Sequence, residues 1–490
     1  MPPAIFSRLR AAAALTLCLA PLAGAAQTTT DQALLLTEVL ERSASYYPSI
    51  VESLSKREQA AGRLTQTEGA FDLVFAAEGF AYMGGFYNGR ALTSSVTQPL
   101  GTMGAKLYSK YDLSAGDLPV YSDEYFTNKG GRLKVGIVFS LLRDRAIDER
   151  RAARMDARLA VQNAELELLM TRIGVQRNAL AAYAYWYAAG RQVRAYEHLL
   201  ELALDRDKAI AAEVQRGARA RIDLTENARN ITHRRVFLLS ARAELDKAAN
   251  ALSLYYRDTD GQPAIVAIER LPSADLPVSD RAPGVDATTL PDVIRRHPAL
   301  RSLSVATARA QQKLALARNS LAPRVDLSFE LGQGIGGIGQ GGRSRDSTDP
   351  LVGLTVSVPL QRRAARGAVA EQQATLAELS ASQQLLAETL TAELGKLVIE
   401  LQAATGLESL AGIELGQTQA LVEAENKRFT NGASDFFLIN VREEAAANAE
   451  IELIKARLRR VLAQGELNAA TLNLGELGLQ NPVPRGTQYN

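Results

Sequence analysis

"VGLTVSVPLQRRAARGAV", Val352–Val369, changes its period halfway along. Val352, Leu354, Val356, Val358 and Leu360 alternate with small or polar residues, and a period of two sends alternate side chains to opposite faces of a strand. From Arg362 to Lys427 there is then no proline, and Ala, Leu, Glu, Arg and Gln dominate. A helix of about seventy residues would be ~105 Å long. No compact domain houses such an element; the length belongs to a coiled coil or a helical repeat.

The same change occurs earlier. "VGIVFSLLRDRAIDERRA" from Val135 leads into Asp144–Glu213, a stretch without proline whose only glycines are Gly174 and Gly190. "YPSIVESLSKREQAAGRL" from Tyr47 parallels "HPALRSLSVATARAQQKL" from His297, and "RGARARIDLTEN" from Arg216 parallels "NGASDFFLINVR" from Asn431. Three matches in one order read as a tandem duplication. Each copy spells helix, strand, loop, strand, very long helix, tight turn, long helix. The expected layout is a signal segment at 1–26, a first repeat at 27–257, an irregular connector at 258–287, a second repeat at 288–475 and a tail at 476–490. Expected strands lie near 71–83, 132–142, 324–332 and 351–360, and long helices near 143–213, 222–256, 361–427 and 436–470. A short strand is expected at Ala264–Ile268, and the terminal "NPVPRGTQYN" reads as disordered.

In "RVDLSFEL", Val325, Leu327, Phe329 and Leu331 alternate with Asp326, Ser328 and Glu330. Each strand is about nine to twelve residues, a length that crosses a bilayer when tilted. Between the strands of the second repeat stands Gly334-Ile-Gly-Gly-Ile-Gly339, which satisfies the GxGxxG pattern of dinucleotide loops. A polar run and another strand follow it instead of a helix. Without a helix N-terminus no cluster of free N–H groups cradles pyrophosphate, so the segment reads as a loop between antiparallel strands. The first copy is expected to carry a longer loop, from about Gly84 to Gly131.

The 56 basic and 54 acidic residues leave a net charge of +2, which gives no field suited to nucleic acid. Arg8 and Arg10, the apolar "AAAALTLCLAPLAGAA" and the small residues Ala23-Gly24-Ala25 form a secretory signal. Cys18 falls inside it, so the mature chain is expected to lack cysteine. No later segment has about 18 continuous apolar residues, so an exported chain of this kind is either soluble or crosses a membrane as strands.

Together these features resemble the TolC family of outer-membrane efflux and type I secretion channels. The resemblance rests on the doubled strand-then-helix element, the "HPAL" helix start and the tips at Gly217–Leu224 and Gly432–Ile439. It implies a mainly α fold with a β-barrel part. Three copies would each give four strands to one twelve-stranded barrel and long helical hairpins to a periplasmic tunnel. The implied role is an exit duct in the outer membrane, working with a periplasmic adaptor and an inner-membrane ABC or proton-driven transporter. The resemblance assigns Gly217, Ala218, Asp223, Gly432, Ala433 and Ser434 to the adaptor-docking tips. Leu438 and Val441 fall where a family member carries constricting aspartates, which points to a more apolar or displaced entrance with Asp435 as the acidic candidate. Asp435 can equally cap a helix. Asp326, Ser328 and Glu330 would face the lumen, and Phe329 and its neighbours lipid.

No chemistry competes with this reading. His198, His233 and His297 are scattered without the spacing of a metal site, no GxSxG elbow occurs, and no cofactor is expected. "AYAYWYAAG" from Ala182 reads as helix-seam packing rather than a ligand site. The alternative is a soluble periplasmic coiled-coil protein without a pore, which would not need paired two-faced strands.

Overall fold

The computed structural model describes residues 32–119, 126–274, 289–339, 347–431 and 433–480. The signal segment, the middle of the connector, Gly432 and the last ten residues lie outside these. Eight helices and six strands follow in the order α1 (Leu36–Tyr46), α2 (Pro48–Glu68), β1 (Val74–Ala81), β2 (Arg90–Pro99), β3 (Lys106–Ala115), β4 (Arg132–Ser140), α3 (Glu149–Gln215), α4 (Arg221–Ser253), α5 (Leu290–Arg296), α6 (Pro298–Asn319), β5 (Arg324–Gly334), β6 (Thr348–Ser357), α7 (Arg363–Thr430) and α8 (Phe436–Ala470).

At 67 and 68 residues, α3 and α7 are each about 100 Å long. Asp148 starts α3 by accepting a hydrogen bond from the Arg151 N–H at 2.9 Å. Shorter helices cover the two rods in halves. Near the sheet α2 lies along α3, where Ile50 packs with Leu168 and Val175 and Ser53 bonds Thr171 at 3.0 Å. Farther on, α4 takes over, burying Leu238, Leu245 and Leu252 against the Tyr183–Val193 stretch of α3. The two shorter helices meet where Tyr47 stacks on Tyr255, ring centres 5.2 Å apart. Along α7, α6 comes first, with Gln383 bonded to Thr307, and α8 follows through Ala411, Leu453 and Ala456. Asp156 of α3 grips Arg309 of α6 through two bonds of 2.7 and 2.8 Å, joining the first rod to a helix of the second repeat.

Proline sets the break between α1 and α2, and that between α5 and α6. Tyr47 and His297 each precede a proline, and both leave the helical region of backbone space. The largest core lies at mid-length of α3, where Trp186 is fully buried and the Tyr183 hydroxyl bonds the Leu34 carbonyl at 2.8 Å. "AYAYWYAAG" is therefore helix-seam core. Beyond α8 the chain turns back, and Leu477 and Leu479 pack beside Ile173.

The strands form one antiparallel sheet in the order β1-β2-β3-β4-β5-β6. Here an expectation is overturned: Gly84–Gly131 is not a single loop, and the described residues hold six strands rather than four. Strands β2 and β3 make a hairpin between β1 and β4, with ten paired positions from Arg90↔Ala115 to Pro99↔Lys106. The connector also differs. Ala264–Ile268 is not a strand; Val266 is buried in the core with Ala264 and Ile268 packed against it, a bridge joins Arg257 to Pro263, and a 3-10 turn covers Ile268–Arg270. With no partner strand beside it, extended backbone there has no ladder to join.

No helix among the described residues is long and apolar enough to cross a membrane. The sheet, by contrast, has one largely apolar face.

Candidate functional site: the two-faced sheet and the hairpin tips

Cross-strand register assigns every side chain of the sheet to one of two faces, because directly paired residues share a side. Phe75 pairs with Val96, Ser109 with Val135, Ile137 with Phe329, and Phe329 with Val352. One face therefore carries Phe75, Leu92, Leu107, Leu133, Val135, Phe329, Leu331, Val352, Leu354 and Val356, all exposed on the single chain. A contiguous exposed apolar surface of this extent requires an apolar partner phase or a protein partner. Phe139 stacks on Phe329 within it at 6.1 Å.

The opposite face is polar and cross-linked. Asp326, Ser328 and Glu330 lie here together, with Thr93, Lys110, Asp112, Arg132, Lys134 and Asp349. The Tyr108 hydroxyl donates to Glu330 at 2.7 Å, passing over Gly136, where any Cβ would lie 2.5 Å from the phenol. Arg132 similarly crosses Gly332 to reach Asp349 at 3.1 Å. Asp326 accepts from Ser140 at 2.8 Å and pairs with Arg324 at 2.7 Å, and Ser328 donates to the Gly353 carbonyl at 3.2 Å. Asp112 accepts from Thr93 at 2.8 Å and pairs with Lys110 at 3.3 Å.

The glycines of the Gly334–Gly339 motif end β5 and enter a loop. Gly336 has φ +78°, Ile335 exchanges backbone hydrogen bonds with Gly130 and Gly131 at 2.9 Å, and Asn128 donates to the Gly336 carbonyl at 3.0 Å. The next described element is β6, a strand, whereas a dinucleotide cradle needs a helix N-terminus.

At the far end of the rods, α3 stops at Gly217, whose φ of +72° is a left-handed conformation that favours glycine. The Ala218 N–H reaches back to the Glu213 carbonyl at 2.9 Å. Arg219 pairs with Glu213 at 2.7 Å and with Asp223 at 3.5 Å, holding the turn closed. In the second tip the Ala433 N–H bonds the Arg428 carbonyl at 2.8 Å, and Ser434 donates to the buried Glu425. Asp435 caps α8 by accepting from the Leu438 N–H at 2.8 Å, with its side chain exposed. Leu438 is half-buried and Val441 exposed. Gly432 lies outside the described residues.

Two turns above the tip sits a cluster that sequence patterns do not expose. Glu443 of α8 accepts from Arg206 of α3 and, at 3.1 Å, from Arg234 of α4. Asn440 accepts from Arg206 at 2.7 Å, and the Arg206 guanidinium lies over the Phe436 ring. Arg234 also donates to the Leu199 carbonyl. Burial pushes Arg234 below the ordinary guanidinium range, and Glu443 opposes that shift. The partners stand more than two hundred positions apart, so only the fold brings them together.

His198 and His233 are exposed beside Glu201 and Glu444, whereas His297 caps α6. Among the described residues no group of His, Cys, Asp or Glu is placed to hold a metal ion.

Comparison with known proteins agrees with this architecture. Residues 289–471 match the family "Outer membrane efflux protein". No curated protein matches the chain in sequence. Among solved structures, a membrane protein from Pseudomonas aeruginosa is 15% identical with a TM-score of 0.61, covering 89% of this chain and 93% of its own. The CmeC outer membrane channel of Campylobacter jejuni is 13% identical with a TM-score of 0.61, over 90% and 89%. The outer membrane protein VceC of Vibrio cholerae is 16% identical with a TM-score of 0.59, over 89% and 95%. An outer membrane efflux protein domain therefore occupies the second half of the chain, and nearly the whole chain shares the fold of these solved outer-membrane proteins.

Proposed function

We propose that the protein is the outer-membrane exit duct of an efflux assembly, formed by three copies and supplied by a periplasmic adaptor and an inner-membrane transporter. The observation that carries this reading is one sheet with an apolar and a cross-linked polar face, joined to helices about 100 Å long. The apolar face suits lipid, and Asp326, Ser328 and Glu330 then line a water-filled lumen. One chain leaves β1 and β6 with open edges, and unpaired backbone groups are costly in hydrocarbon, which favours closure by sister chains.

The helix tips would form the periplasmic entrance. Gly217, Ala218, Asp223, Gly432, Ala433 and Ser434 would dock the adaptor, with Asp435, Leu438 and Val441 at the constriction. Asp435 caps α8 while its side chain stays exposed, so both roles are compatible. Export of small molecules or of proteins by a type I system would use the same duct, with the transporter selecting cargo.

The test is extraction from outer membrane followed by reconstitution in a planar bilayer. Heat-modifiable trimers that conduct ions support the duct. Release by osmotic shock, or membrane-bound protein without conductance, would overturn it. Asp435→Ala should change conductance and cation preference; if neither moves, Asp435 is a cap alone.

A further inference from the structure

We infer that the barrel of this protein is built from eighteen strands, six per copy, with the β2–β3 hairpin serving as a full-height piece of the membrane wall. The inference rests on the trimeric duct proposed above and departs from the four strands per chain that the family resemblance implies.

Three observations place the hairpin in the wall. First, it spans the same height as its neighbours. Its turn, Leu100–Ala105, lies at the helical end of the sheet: Met103 accepts from the Ser140 N–H at 3.1 Å, and a Cβ on Gly104 would meet the Asp144 carbonyl at 2.7 Å. An external cap would turn at the opposite end, beside Gly130 and Ile335. Second, its faces continue those of the sheet. Leu92, Val96, Leu107 and Leu113 extend the apolar side, while Thr93, Lys110 and Asp112 extend the polar side. A plug inside an aqueous lumen would not keep an apolar face. Third, it is fastened on both flanks. Strand β1 pairs with β2 along eight residues, β3 pairs with β4 along seven, and Tyr108 reaches past β4 to Glu330 of β5.

The insertion is also topologically clean. Strand β1 runs away from the helices and β4 runs back, so an antiparallel hairpin enters between them without reversing either. Circumference scales with strand number at a fixed tilt. With strands about 4.8 Å apart and tilted about 40°, twelve strands give a backbone diameter of ~24 Å and eighteen give ~36 Å. The extra hairpin therefore changes the bore of the outer-membrane exit, not merely its loops.

Electron cryomicroscopy of the lipid-reconstituted trimer should count eighteen strands, with β6 of each copy beside β1 of the next. A twelve-stranded trimer with β2 and β3 outside the wall would overturn the inference while leaving the duct standing; a particle that is not a trimeric pore would overturn both. An independent measurement avoids dependence on strand counting. Leu107→Trp puts an indole on the apolar face of β3, and brominated acyl chains should quench its emission strongly. An unquenched indole at position 107 would overturn the hairpin's place in the wall.

Discussion

Arg234 and Glu443 meet at 3.1 Å in a place where both side chains are almost wholly shielded from water, one on α4 and the other on α8. Glu443 also holds Arg206, so one carboxylate answers two cations that link three helices. Removing it would leave buried guanidinium charge without a counter-ion. Glu443→Ala should destabilise the helical part by about 3–5 kcal/mol. Glu443→Gln keeps acceptor geometry without the charge and should fall between it and the unaltered protein. Thermal unfolding followed by circular dichroism checks the order; equal midpoints for all three proteins would show that the cluster contributes no net stability.

A second relationship fastens the sheet. Gly136 is glycine because the Tyr108 ring lies where a Cβ would be. Tyr108→Phe removes only the bond to the Glu330 carboxylate and should cost about 1.5–3 kcal/mol, the range for a charged acceptor. Gly136→Val displaces the ring itself and should cost more, lowering the temperature at which the assembly loses its compact mobility on gels. The reverse order would mean that the ring has free space to move and that the hydrogen bond alone matters.

Much of this architecture is legible in the sequence, and the missing parts have physical causes. The long proline-free stretches announce α3 and α7, and clean alternation announces β4, β5 and β6. Strands β2 and β3 hide because Ser94, Ser95, Ser109 and Ser114 dilute both faces, leaving a composition that reads as loop. Their strand character comes from partners on either side, which alternation within a segment does not reveal. The cluster of Arg206, Arg234 and Glu443 is harder still. Each residue looks like one more charge on a solvated helix, and only the packing of α3 and α4 against α8 shows that they are buried. By contrast, the turn at Gly217 was readable, since a glycine between two helical patterns has one common use.

That glycine supports a third expectation. Gly217 has open space around its Cα, so substitution there meets no steric barrier and tests backbone strain alone. Its φ of +72° penalises an L side chain by roughly 1–2 kcal/mol. Gly217→Ala should lower stability by about that amount, and Gly217→Asn by less, because asparagine tolerates the left-handed region better. If the two variants unfold at the same temperature as the unaltered protein, the turn relaxes into another conformation without penalty.

The last expectation concerns pH. His297 precedes Pro298 and caps α6, its Nδ1 accepting the Ala299 N–H at 3.3 Å. Acceptance at Nδ1 requires the neutral ring, and burial pushes the imidazole below its ordinary value. In the unfolded chain the ring takes its proton near pH 6.5. The stabilisation from neutral His297 is therefore fully present above about pH 6.5 and is lost as pH falls from there through the lower folded value. His297→Asn keeps a capping oxygen that does not titrate in this range. The unaltered protein should thus lose more stability than His297→Asn between pH 7.5 and about 5. Parallel loss in both proteins would mean that the ring stays neutral in the unfolded chain or gains its proton without leaving the cap.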